Sequence, residues 1–400
     1  MSTDIQMMDV HKTNQLLEAM RARVDPLADE VIQELFARGE VGSANVWMSY
    51  LMRHGAAGME QVPEPLRSYF ERSGRLPAWV DRELLSEGQA LFHRCGPLAV
   101  VALVGAALPT CYAGAQGVQV LHLTSRMETD ILRRIVETAQ MVVDVMGPGG
   151  LEEDGWGIRD AQRVRLMHAA VRHLVRRSGR WDDAWGEPVN QEDMAGTLFT
   201  FSVVTLRALR KLGYTPSARE AQAYYHTWRV VGFLMGVDER LLPASLEEGE
   251  RLADVIFGRV FAPSAQGREM TRVLIERLDH LVPGQVFEGL AATLIRHLVG
   301  DGTADLLAVP PSNWSHSVMK PLWLLGWLVE GSECSELTAR MCELFGRTLV
   351  EGLVWMGRGG GSRPPFRIPE VLRESWRVRG PEERARMREE PESLLERSSA

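Results

Sequence analysis

His168 falls on the apolar stripe of a helical pattern, with Arg165 three residues before it and Arg172 four after. Those spacings place side chains on one face of a helix. A neutral imidazole buried there can ligate a metal, and arginines beside it can hold an anionic group. Upstream, Arg134, Glu137 and Thr138 repeat the three-and-four spacing, and Thr138 interrupts an apolar stripe formed by Ile131, Ile135, Val142 and Val145. An imidazole on one side, with a guanidinium, a carboxylate and a hydroxyl on the other, is a polar set able to enclose a metal-bearing cofactor.

Each of these residues also has a purely structural use. Partly buried histidines are common, arginine and glutamate at helical spacing pair at surfaces, and threonine can bond back to its own helix. His93, His122, His173 and His226 compete as ligands, and Arg229 reads as structural.

The elements that must hold these groups are helices. Asp9 to Ala37 reads as one helix kinked at Pro26, and Trp79 to Leu108 as two helices broken at Gly96-Pro97. Thr129 to Met146 carries the first set and stops at Gly147-Pro148-Gly149-Gly150, where glycine and proline end a helix. Ile158 to Arg177 carries the second, so a reversal over 147–157 brings the two faces together. Asn190 reads as the N-cap of a helix reaching Leu212, another starts near Pro216, and four amphipathic segments lie between Leu246 and Val354. No series of alternating strands is found. The expected class is all-α.

Composition is that of a globular protein, 45% hydrophobic and 24% charged, and a net charge of −8 without a basic stripe excludes a general nucleic-acid partner. No apolar run is long enough to span a bilayer, and Met1 to Asn14 carries no export signal. Cys95, Cys111, Cys334 and Cys342 are scattered, as free thiols would be. The expected location is cytoplasmic. Phosphate-binding, zinc, di-iron, serine-hydrolase and c-type heme signatures are all missing.

Five segments, in order, carry a resemblance: LPAWVDRELLSEGQALF (Leu76 to Phe92), ILRRIVETAQ (Ile131 to Gln140), RVRLMHAAVRHLV (Arg163 to Val175), PVNQEDMAGTLFTFS (Pro188 to Ser202) and YYHTWRVVGFLMGVDERLLP (Tyr224 to Pro243). Over Leu76 to Phe257 the chain resembles the catalytic domain shared by bacterial rubber oxygenases and the mycophenolic-acid-pathway oxygenase. The resemblance implies a globin-like helical core with one heme b, and a reaction in which dioxygen oxidises or cleaves a carbon–carbon double bond. It implies His168 as the axial iron ligand, Arg165 and Arg172 near the heme propionates, and Arg134 and Thr138 on the distal side. Thr197 falls where the family often keeps a hydroxyl. One departure is clear: latex clearing protein carries a lysine at the position of Glu137. A glutamate there cannot be an amine ligand, but its carboxylate could act as a base on substrate.

These residues set the expected organisation: an N-terminal helical extension (1–75), a heme-binding oxygenase core (76–257), helices closing the pocket (258–356), and a flexible loop and charged tail (357–400). With no export signal, a small isoprenoid, polyketide or aromatic alkene fits as substrate better than an extracellular polymer. A heme protein that only binds a diatomic gas and a heme-free helical lipid-binding protein are the alternatives.

Overall fold

A computed structural model describes residues 10–39, 62–124, 127–153, 155–281 and 289–311. The described residues are all-α, with one isolated bridge between Gly114 and Phe261 as their β contact. Cys334, Cys342 and the glycine-rich and charged stretches after Met356 lie outside them.

The expected single N-terminal helix is in fact two, α1 (Val10–Arg21) and α2 (Pro26–Ala37). Proline has no N–H to donate, and the first turn of a helix needs none, so Pro26 starts α2 rather than kinking a continuous helix. Next come α3 (Glu64–Ser73) and α4 (Arg82–Cys95), the latter capped by the Asp81 carboxylate. The break at Gly96-Pro97 is found as expected, and α5 (Pro97–Ala113) runs on past Leu108 through a π-helical turn at Leu103–Ala107. Then follow α6 (Gly117–Thr124), α7 (Met127–Met146) and α8 (Trp156–Arg177).

Asn190 caps α9 (191–211), its Oδ1 accepting from the Asp193 N–H at 2.9 Å, and this helix contains a second π-helical turn at Thr200–Val204. A reciprocal Ser217–Glu220 capping box opens α10 (Ala218–Leu234). The described fold ends with α11 (Leu246–Val260), α12 (Ala265–Leu281), α13 (Leu290–Val299) and α14 (Asp301–Leu306).

Helix α4 lies along α10 in the most extensive pairing of the fold, at Gly88, where a Cβ would sit 2.5 Å from the Ala223 carbonyl oxygen. Trp228, Tyr224, Phe199 and Phe92 are buried at the centre, each contributing about 1.5–3 kcal/mol by leaving water. Helix α8 packs on α7 on one side and α2 on the other, and α1 packs on α9. The α7–α8 reversal is tight: a Cβ on Gly157 would stand 2.7 Å from the Val145 Cα. That near-contact fixes the register of the two helices bearing the candidate residues. Among the described residues no single helix is long and apolar enough to cross a membrane; the apolar pair α4–α5 is bent by 90°.

Candidate active site

His168 stands mid-way along α8, and its Nδ1 is buried with no hydrogen-bond partner. Burial, followed by the nearby charges of Arg172 and Arg134, pushes its protonation down to about 3. The ring is therefore neutral at ordinary pH and keeps unused bonding capacity. By surface area it is only half-buried. The two facts agree if the accessible part of the ring faces an internal space.

Across the α7–α8 pair, Arg134 is near enough for its charge to act on His168. Arg134 also ties α7 to the end of α6, donating to the Leu121 carbonyl at 3.1 Å and the Thr124 hydroxyl at 3.2 Å. At about 100° per residue, Arg134 lies between Glu137 and Thr138 on one arc of α7. All three are half-buried. Beyond Thr138 the same helix borders an almost wholly apolar cavity of about 170 Å³, lined also by Phe92, Leu103, Val104, Val142 and Phe201.

Arg165 and Arg172 are held from the other side. Arg165 makes a bidentate pair with Asp25, at 2.6 and 2.7 Å, and Asp25 is only 3% exposed. Arg172, 0% exposed, bonds Asp29 at 2.8 Å and the Val189 carbonyl at 2.7 Å. Despite that partner, burial raises the Asp29 carboxyl above its usual range. Both acids sit at the start of α2, 140 and 143 residues away in sequence, so α2 clamps α8 one turn before and one turn after His168. One donor remains over: Arg172 Nη2 is buried and unpartnered.

Thr197 is exposed on α9, apart from this cluster, and its carbonyl accepts from the buried Thr200 hydroxyl at 2.8 Å. The competing histidines have other work. His93 bonds the Met146 carbonyl at 2.8 Å, His226 accepts from the Asp81 N–H at 3.0 Å, His173 stacks on Phe36 at 4.2 Å, and His122 is exposed. Arg229 lies over the Trp79 ring at 3.7 Å, a structural role as expected.

Sequence reasoning missed Asp25 and Asp29, because an acid beside Pro26 looks like an ordinary first-turn residue. It also gave no sign of the part played by Glu192, in the first turn of α9. Glu192 is 0% exposed and pairs with Arg21 at 2.9 Å and Arg259 at 2.6 Å, joining α1, α9 and α11.

Comparison with known proteins identifies the family. The family model described as "ER-bound oxygenase mpaB/B'/Rubber oxygenase, catalytic domain" matches residues 90–331, reaching well past Phe257. The rubber oxygenase of Streptomyces sp. (strain K30) is 27% identical over 360 residues, 88% of this chain and 86% of that protein. The structure of latex clearing protein in its closed state shares the fold, with a TM-score of 0.67 at 23% identity over 83% of this chain and 91% of that one. Such membership sets aside both non-catalytic readings. The chain belongs to the mpaB/B′ and rubber oxygenase catalytic-domain family, and it is an oxygenase.

Proposed function

We propose that the protein is a heme b oxygenase that uses dioxygen to oxidise or cleave a carbon–carbon double bond in a small hydrophobic substrate, with His168 as the axial ligand. The observation carrying this reading is His168 itself: a buried, neutral imidazole with an unmet nitrogen, held between two clamped arginines. No three metal-binding side chains come together among the described residues. A metal on His168 would then take its other ligands from a macrocycle. The unpartnered Nη2 of buried Arg172 is a donor for an anionic group of that macrocycle, which fits a propionate. Arg165 acts through Asp25 as a positioning residue, and Thr197 is given no part in this reading.

Bound heme would supply the activation of dioxygen. The protein's own groups then have separate tasks. His168 binds the iron, and the α2 clamps hold the helix that carries it. Arg134 places a positive charge near the site, and Thr138 offers its hydroxyl at the rim of the apolar cavity. Glu137 is the carboxylate of the same arc and moves a proton to or from substrate. The apolar walls beside Thr138 suit an uncharged, apolar reactant.

The test is turnover of a short oligoisoprenoid alkene under isotopically labelled dioxygen. The proposal expects label in the carbonyl or hydroxyl products. Label entering only from water, with exchange excluded, overturns it.

A further inference from the structure

The two π-helical turns of the fold pack against each other. A π turn inserts a residue into a helix, widens it locally, and leaves carbonyls that need other partners. In the second turn those partners are present: Tyr224 donates to the Phe201 carbonyl at 3.0 Å, and Thr205 to the Thr200 carbonyl at 3.2 Å. The Tyr224 bond ties this turn to α10. Leu103 and Val104 of the first turn and Phe201 of the second point into the same space, the cavity of about 170 Å³ described above.

Its lining has a single polar side chain, Thr138. An apolar cavity of about 150 Å³ in another protein stays dry and takes up benzene or xenon. This one is of similar size and, apart from the Thr138 hydroxyl, similarly apolar, so an uncharged apolar molecule gains more than water by entering it. Its position adds the functional link. Ile135, Thr138, Ala139 and Val142 face it from α7, and Thr138 stands at the edge shared with Arg134, whose charge reaches His168. The chamber therefore lies behind the arc that faces the candidate site, with Thr138 at the boundary.

We propose that this chamber between the two π turns binds a small, uncharged, apolar molecule of up to about benzene size and delivers it past Thr138. An oxygenase consumes two reactants of that chemistry, dioxygen and the hydrocarbon end of its substrate, and the test separates them. The proposal rests on the oxygenase assignment, not on the identity of the cofactor.

The experiment is methyl NMR of the protein as purified, with the methyls of Leu103, Val104, Ile135 and Val143 as reporters and those of the close-packed Leu17 and Leu66 as controls. Dissolved dioxygen is paramagnetic, so the relaxation difference between dioxygen and dinitrogen pressure reads its occupancy. Benzene titration reads hydrocarbon binding through saturable shifts. Enhancement severalfold above the controls, without benzene binding, assigns the chamber to dioxygen. Saturable benzene shifts at the same methyls assign it to the hydrocarbon end. Ala139→Leu, which fills the space, should abolish either signal, with Val143→Phe read the same way if that variant does not fold. Neither signal in the unaltered protein, or a signal undiminished in a folded filling variant, overturns the proposal. Because binding is read without turnover, a protein that proves to be colourless would remove the heme reading and leave this one standing.

Discussion

The two flanks of α8 are built on opposite principles. Towards α2, charge is matched: Arg165 with Asp25, Arg172 with Asp29, each pair withdrawn from water. Towards α7, polar capacity is left over: a neutral His168 with an unmet nitrogen, and a Thr138 hydroxyl beside an apolar cavity. A buried group without a partner costs stability, and such a group also occurs on the α2 side, at His173 Nε2; what sets His168 apart is its place opposite the α7 arc. The difference teaches where to look. On the function proposed above, the flank towards α2 is scaffold and the flank towards α7 is site, with Arg172 serving both through its spare Nη2. Damage to the first should appear as lost stability, and damage to the second as lost activity.

The largest effect should come from the scaffold. Arg172→Met leaves the Asp29 carboxylate buried without its cation, which should cost about 3–5 kcal/mol in urea unfolding. A loss within 1 kcal/mol, by the same principle, would mean the clamp is not what holds α8. On the other flank, Glu137→Gln, which keeps the shape and removes the basic carboxylate, should lower kcat by about 100-fold while leaving the absorption spectrum in place. Full activity in this variant would strike Glu137 from the mechanism. Thr138→Val, nearly the same shape without the hydroxyl, should lower kcat by roughly tenfold, equivalent to about 1.4 kcal/mol, with stability close to unchanged.

The smallest effect is a pH dependence on the scaffold flank. Burial, then the charges of Arg177 and Arg176, push His173 from 6.5 down to about 4. The unfolded chain therefore binds more protons than the folded one between those values, and His173's contribution to stability is lost as pH falls from 6.5 towards 4. His173→Phe keeps a ring against Phe36 and should flatten that part of the stability–pH curve, read from urea midpoints at several pH values. An unchanged slope would show that His173 is not the sensor.

How much of this was legible depended on the range of the interaction. The stop of α7 at Gly147, the Asn190 cap and the break at Gly96-Pro97 are local, and sequence alone locates them. Thr138 was legible too, because a hydroxyl in an apolar stripe is an anomaly on its own helix. The clamps were not, since Asp25 and Arg165 lie 140 residues apart and each looks ordinary where it stands. The π turns were equally hidden: one extra residue within a continuous apolar helix leaves no composition signal. Thr197 was read from a motif match, and the fold leaves its side chain exposed on α9.

The central claim is that His168 carries an iron-bearing cofactor, and the most direct measurement is the ultraviolet–visible spectrum of the purified protein and of His168→Ala, with a pyridine hemochrome assay. The account predicts a strong Soret band with near-stoichiometric heme b, lost or shifted in the variant. A colourless protein that takes up no added hemin, or a Soret band unchanged by His168→Ala, would contradict it.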